Sequence, residues 1–358
     1  MRYETPLQPG ILWRDMLGNG AIGAMSREQE RYLTQEQNGA QGPWSARKVV
    51  IVGAGAVGAT FAYALAQSGA ADDIALIDAN PDLAKGQVLD LAHGLAFLPA
   101  ARIHVGSLAD YRDADAIVIT AGAKQQPGES RLALLSRNAA IVKEIARGIA
   151  DADSPAAIIV TTNPVDILTY IVLKETGRAP GRVIGSGTVL DSFRFRYLLS
   201  QKCGVDVHNV HAFILGEHGD SEVAAWSMTH IAGIPIDEYC ASCGRCGDRE
   251  AQRKKIADEV RNSAYHVIDY KGATYFAIGL ALTKIVAAVL RNQRSVLPVS
   301  TLLQGEYGLN DICLSVPCLV GRAGAERVIE GRLVDSELKA LANSAAILKQ
   351  TLAQIGKG

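Results

Sequence analysis

An α/β fold, with a doubly wound parallel sheet followed by a mixed α+β half, is predicted by three observations. Short unbroken apolar runs alternate with helical patterns, a glycine-rich turn follows the first of those runs, and the composition is high in glycine and low in aromatics. Of 358 residues, 35 are glycine, aromatics make up 6% and hydrophobic residues 48%. Tight strand-to-helix turns use glycine, so this balance suits an α/β protein better than an all-β one. The apolar content is enough for a large core, which excludes disorder of the whole chain, and the length suggests about two domains. Thirty-six Lys and Arg against 37 Asp and Glu leave a net charge of -1, which gives no support for a nucleic-acid or anionic-membrane partner.

Residues 1–46 have no sustained period and are read as an arm-like or disordered N-terminal extension, with Met16 or Met25 as alternative starts. This stretch lacks a secretory apolar core and carries Glu4, Asp15, Glu28, Glu30 and Glu36, against the acid-poor pattern of a presequence. No apolar run approaches the ~18 residues that cross a bilayer, so the expected location is cytoplasmic.

The texture changes at Arg47. Lys48–Val52 is a strand of the kind buried on both faces, and Gly53-Ala-Gly55-Ala-Val-Gly58 leads into a helix over 59–67. A strand at 74–78, a helix at 81–91, a strand at 116–120, a helix at 131–149 and a strand at 156–161 follow. Alternation of this kind implies right-handed βαβ units and a parallel sheet. The second half is less regular. It has a strand-like stretch at 212–215, helices at 249–269 and 276–291, a β-rich stretch at 296–320 and a last helix at about 335–355. The division is placed at 47–184 for a nucleotide-binding domain and 185–358 for a substrate domain.

Gly53-x-Gly55-x-x-Gly58 sits between a strand and a helix, and Asp78 follows twenty residues later at the end of the next strand. Gly53 permits the tight turn, Gly55 lets the backbone approach a pyrophosphate, and Gly58 lets helix and strand pack closely. Free N–H groups at the helix start suit phosphate, and Asp78 can accept from the adenosine ribose hydroxyls while repelling a 2′-phosphate. The pattern is that of a Rossmann-type fold that binds NAD in preference to NADP.

Four polar clusters supply candidate chemistry: Gly216-Glu-His218-Gly-Asp220 after an apolar run, Leu190-Asp191-Ser-Phe-Arg194 ahead of a helical pattern, the loop 121–131, and Thr162-Asn163-Pro-Val-Asp166 after a strand. Loops at strand C-termini line the ligand crevice of an open α/β sheet. Of seven histidines only His218 lies in such a setting, while His93 is read as structural or near the cofactor. Cys240, Cys243 and Cys246 have the spacing of a partial metal or cluster site, but no fourth cysteine matches, so they are read as a loop with reduced thiols and no metal is expected.

The segments VVIVGAGAVG, LIDAN, ITAGAKQQPGESR, TTNPVDILTY, GSGTVLDSFRFR, GEHGDS and KGATYFAIG occur in this order from about Arg47 onward. Together they resemble the lactate/malate dehydrogenase family, and within it the bacterial L-lactate dehydrogenases. The resemblance implies that His218 is the acid/base, that Asp191 holds its ring and favours the protonated form, and that Arg194 grips the substrate carboxylate with a two-pronged fork. It implies that Arg131, on a loop whose Gly122, Pro127 and Gly128 suit a hinged lid, stabilises oxygen charge in the transition state. Asn163 then bonds the reacting oxygen, Thr274 lines the substrate pocket, and Val57 and Asn163 join Gly53, Gly55, Gly58 and Asp78 around the cofactor.

Gln125 stands where malate dehydrogenases carry arginine, so oxaloacetate would bury its second carboxylate without a partner. The expected function is interconversion of (S)-lactate and pyruvate. The alternatives are a malate or other 2-hydroxy-acid dehydrogenase, or a non-catalytic dehydrogenase-derived binding protein. The resemblance also implies a homotetramer, with Arg196 and His211 at a fructose 1,6-bisphosphate site between subunits.

Overall fold

The computed structural model describes residues 46–123, 128–245 and 247–355. The sequence-predicted N-terminal extension (but for Ala46), Gln125, Pro127 and Cys246 therefore lie outside the described residues.

Six strands form the parallel part of one sheet: β1 (Lys48–Val52), β2 (Asp73–Ile77), β3 (Arg102–Val105), β4 (Ala116–Ile119), β5 (Ala157–Val160) and β6 (Val183–Gly185). Their spatial order is β6-β5-β4-β1-β2-β3, with every neighbouring pair parallel. Every residue of β1, β4 and β5 is buried, as their unbroken apolar runs require. Helices α1 (Ala56–Ser68), α2 (Pro81–His93), α3 (Arg131–Asp151) and α4 (Val165–Thr176) connect these strands. Asn80 caps α2 by accepting the N–H groups of Asp82 and Leu83, and Pro81 at the first helical position has no N–H to satisfy.

The sheet does not end at β6. Strands β12 (Ser295–Gln304), β13 (Asn310–Gly321) and β14 (Gly324–Val328) extend it antiparallel, with β12 paired to β6 through Ser300 and Gly185. The β-rich stretch at 296–320 thus joins the six parallel strands in one nine-stranded sheet. Between β6 and β12 lie α5 (Val189–Cys203) and the short strands β7 (Val210–His211), β8 (Ile214–Leu215), β9 (Val223–Ala224), β10 (His230–Ile231) and β11 (Ile234–Pro235). Helices α6 (Ile236–Ser242), α7 (Arg249–Lys271) and α8 (Phe276–Leu290) follow, and α9 (Asp335–Ile355) ends the described chain. The strand expected at 212–215 is confined to β8, which pairs with β9, while Ala212 and Phe213 lie in no strand.

The order of the parallel strands reverses between β1 and β4. Loops leaving their C-terminal ends diverge there and open a crevice. The first of these loops depends on two glycines. Gly53 has φ +111°, a conformation that side chains rarely adopt, and its N–H bonds the Ile77 carbonyl at 2.7 Å. A Cβ on Gly58 would overlap the Gly53 carbonyl oxygen and lie 2.8 Å from Thr120 Oγ1. A Cβ on Gly55, where φ is −69°, would meet nothing within 4 Å. The two positions should therefore separate: Gly58→Ala should cost about 1–3 kcal/mol through overpacking of backbone that cannot yield, whereas Gly55→Ala should stay within about 0.5 kcal/mol of the parent. Urea unfolding of the two variants measures the difference, and equal midpoints would refute it.

Candidate active site

A cleft of about 630 Å³ lies at the reversal point. Gly53 and Gly55 line it after β1, Asp78 and Ala79 after β2, and Thr120 to Ala123 after β4, with Tyr111, Ile141 and Ile145 forming an apolar wall. The Asp78 carboxylate braces this cleft. Its Oδ2 accepts the Ala54 N–H at 2.6 Å and its Oδ1 the Asn80 N–H at 2.8 Å. The start of α1, next to the cleft-lining Gly55, carries no acidic side chain and no side-chain cap, which leaves its first N–H groups available to an anion. These features fit a dinucleotide: a side-chain-free approach at Gly55, uncapped N–H groups for the pyrophosphate, and a carboxylate with lone pairs left for ribose hydroxyls.

The second centre is built on His218. Its Nδ1 lies 2.5 Å from Asp191 Oδ2, and the other oxygen of the same carboxylate accepts from Arg194 Nη1 at 2.8 Å. Asp191 is 2% exposed, while the His218 side chain keeps 26% exposure. The sequence places 190–194 ahead of a helix; the structure places them within α5, in its first two turns. That correction explains the geometry, since Asp191 and Arg194, three apart, share one helical face. The α5 start is fixed to β8, the strand just before the histidine loop. Thr188 Oγ1 donates to the Ile214 carbonyl at 2.5 Å, and the Ile214 N–H donates to Ser192 Oγ at 2.8 Å.

Three carboxylates bear on the imidazole. Burial opposes its charged form, but the charge of Asp191 and the bond to it, with Asp166 and Glu222 behind, push the ring up to about 9. Burial likewise raises Asp191, yet the imidazolium and the Arg194 guanidinium outweigh it and hold this carboxyl below the usual range. Glu222 is pushed up to about 8 by burial and by the charge of Asp191. Asp166, on α4, is pushed up to about 6 by burial and accepts the His218 N–H at 2.8 Å. Neither Asp166 nor Glu222 receives a role from sequence reasoning. Asp166 sits in the quoted TTNPVD segment and Glu222 directly after GEHGDS, but only folding reveals that both are buried around the ring.

Arg131 opens α3 at the rim of the site. Its Nη1 lies 4.0 Å from Asp220 Oδ2, two residues from His218, and Tyr265 OH donates to the same carboxylate at 3.2 Å. Asn163 is exposed beside the cis Asn163–Pro164 bond, its carbonyl accepting from Asn138 Nδ2 at 3.0 Å. Val57 is half-buried in the first turn of α1. Thr274, half-buried between α7 and α8, makes no hydrogen bond to the His218 group among the described residues. Arg196 and His211 lie together at another place: Arg196 Nε donates to the Ala212 carbonyl at 3.0 Å, its guanidinium stands 5.1 Å from the Phe193 ring and 5.4 Å from Phe213, and His211 is exposed. His93 ends α2 and is exposed. Cys240 lies in α6 and Cys243 caps it. Among the described residues no group of three or more His, Cys, Asp or Glu side chains could hold a metal ion. No described helix is long and apolar enough to cross a membrane.

The model of the lactate/malate dehydrogenase NAD binding domain matches residues 47–185, and that of the lactate/malate dehydrogenase alpha/beta C-terminal domain matches 188–357. The chain belongs to the lactate/malate dehydrogenase family. Family relatives include the L-lactate dehydrogenase of Treponema denticola, 59% identical over 309 residues that cover 86% of this chain and 98% of the relative. That of Acetivibrio thermocellus is 49% identical over 306 residues, covering 86% and 96%. Among solved structures, the minor L-lactate dehydrogenase of Enterococcus mundtii in a ligands-bound form superposes with a TM-score of 0.84 at 42% identity, covering 86% of this chain and 98% of that one. The cofactor of this lactate/malate dehydrogenase family member is NAD, consistent with its matched NAD binding domain and with the cleft around Gly55 and Asp78.

The raised folded value of His218 has a defined sign. Against an unfolded histidine near ~6.5, the ring's contribution to stability is complete below that pH and fades as pH rises through about 9. Proton NMR should find the His218 ring titrating near 9, and Asp191→Asn should bring it down toward the ordinary range. An unmoved midpoint in that variant would show that Asp191 does not control the ring.

Proposed function

We propose that this chain is an NAD-dependent L-lactate dehydrogenase that interconverts (S)-lactate and pyruvate. The observation that carries the reading is the shared carboxylate of Asp191, which ties an imidazole and a guanidinium into one buried unit. A 2-oxo acid needs both: a proton for its ketone oxygen and a fork for its carboxylate.

Residues 47–184 supply the cofactor half and 185–358 the substrate half in this reading. Gly53, Gly55, Val57, Gly58, Asp78 and Asn163 hold the cofactor, with Asp78 selecting a free ribose hydroxyl over a 2′-phosphate. When bound, NADH supplies the hydride that pyruvate accepts at its carbonyl carbon. Arg194 has its Nη1 on Asp191 and presents its remaining N–H groups to the substrate carboxylate. His218, held at Nδ1 and charged at neutral pH, gives the proton on Nε2 to the carbonyl oxygen and is left neutral. In lactate oxidation the neutral ring takes that proton back. Arg131 and Asn163 bond the same oxygen as negative charge grows on it, and Thr274 packs beside the substrate. The side chain of Gln125 selects a methyl group over a second carboxylate.

Steady-state rates with NADH and either pyruvate or oxaloacetate test the substrate assignment. Pyruvate is expected to be the better substrate, and Gln125→Arg should raise the oxaloacetate-to-pyruvate ratio of kcat/KM by about 10²-fold or more, as befits pairing an otherwise unpartnered buried carboxylate. A parent that prefers oxaloacetate, or a ratio unmoved by the substitution, contradicts the reading.

The reading extends to a cytoplasmic homotetramer activated by fructose 1,6-bisphosphate at Arg196 and His211. Its support is that Arg196 bonds the carbonyl of Ala212, the residue that follows the exposed His211 at the end of β7. Adding the bisphosphate should lower the KM for pyruvate in the parent and have no effect in Arg196→Gln. Equal KM values with and without it in the parent would remove the effector from the proposal.

A further inference from the structure

The histidine loop is held by three consecutive main-chain N–H groups, each taken by a different element. Gly216 N–H donates to the Ser315 carbonyl on β13 at 2.9 Å, Glu217 N–H to Ser344 Oγ on α9 at 2.8 Å, and His218 N–H to Asp166 Oδ2 on α4 at 2.8 Å. Only the third acceptor is a carboxylate, and it is 2% exposed. Asp166 stands in the first turn of α4, three residues beyond Asn163. One buried side chain thus sets the distance between the turn that carries Asn163 and the loop that carries His218. Its other oxygen faces the Ser315 hydroxyl at 3.5 Å, so the anchor is itself braced by the strand that holds Gly216.

We propose that Asp166 is a positioning residue for the reaction: by accepting the main-chain N–H of His218 it fixes the acid/base ring in register with Asn163, as Asp191 fixes the ring itself through Nδ1. The proposal rests on the dehydrogenase reading above. A charge-assisted bond to a main-chain N–H is about twice as strong as a neutral one, and a displacement of about 1 Å at a reacting group costs about 10²-fold in rate. The buried charge also favours the imidazolium. The groups facing Asp166 are Glu217 and His218 from the loop, Ser300 from β12, and Ser315 and Cys313 from β13; those acting on His218 besides Asp166 are Asp191 from α5 and Glu222.

Asp166→Ala removes the acceptor and the charge, whereas Asp166→Asn keeps an acceptor oxygen and removes only the charge. Pyruvate reduction is measured against pH in parent and variants, with NADH affinity from fluorescence and the His218 ring followed by NMR. The alanine variant should lose about 10²-fold in kcat while NADH affinity stays within about twofold, because the cleft at Gly53, Gly55 and Asp78 does not depend on the turn that carries Asn163. The asparagine variant should recover at least about tenfold of that loss, and in it the basic limb of activity and the ring midpoint should fall together by about one pH unit, since removing a nearby negative charge disfavours the imidazolium. An alanine variant within about threefold of the parent overturns the proposal. So does an asparagine variant that recovers nothing or leaves the midpoint unmoved, and that measurement decides alone if the alanine variant does not fold. A parent that does not reduce pyruvate overturns the dehydrogenase reading instead, while the ring titration continues to report whether Asp166 acts on His218.

Discussion

The arrangement depends on one buried carboxylate. Asp191 has almost no access to water, and an unpaired charge in that setting costs several kcal/mol. Both of its oxygens must therefore be occupied, and they are, by His218 Nδ1 and Arg194 Nη1. The requirement runs in both directions. The carboxylate cannot stay buried and charged without its two donors, and neither donor can move far without stranding it. An imidazole and a guanidinium are thereby held at fixed separation before any substrate arrives, the preorganisation that the proposed proton donor and carboxylate fork require.

The rest of the molecule can be understood as support for that unit. Helix α5 brings Asp191 and Arg194 on one face, and β8 is bonded to the start of α5 before the chain turns into the histidine loop. The nine-stranded sheet places the cofactor cleft at its reversal point, and its antiparallel extension supplies Ser315, which bridges Gly216. The two halves of the chain are thus joined at backbone level: β12 lies against β6, and β13 grips the loop that carries His218.

Much of this was legible in the sequence wherever the signal was local. The apolar runs of β1, β4 and β5, the glycine turn, Asp78 and the helices around 249–271 and 276–290 follow from period and punctuation. Strand β6 was not legible, because three residues are too short for a period. Strand β3, at the sheet edge, lacks the unbroken apolar run of its buried neighbours, since Arg102 and His104 interrupt it and only four residues take part. Helix α4 is buried on nearly every side, so it carries no polar face to mark its period. The catalytic candidates His218, Asp191 and Arg194 stood out as polar clusters and through family resemblance. Asp166 lies in one of those clusters without a role of its own and Glu222 lies in none, because a carboxylate's importance here comes from being enclosed, and enclosure is a property of packing between distant segments.

The bracing of Asp78 has a consequence for coenzyme engineering. The carboxylate that would select between the two nicotinamide coenzymes also clasps the Ala54 amide in the glycine turn and the Asn80 amide at the cap of α2. Replacing it with a small or cationic residue to admit a phosphorylated ribose would release two clasped amides as well as remove a repulsion. A switch of coenzyme in this scaffold therefore calls for a second substitution that re-tethers the glycine turn, so selectivity and local architecture must be redesigned as a pair.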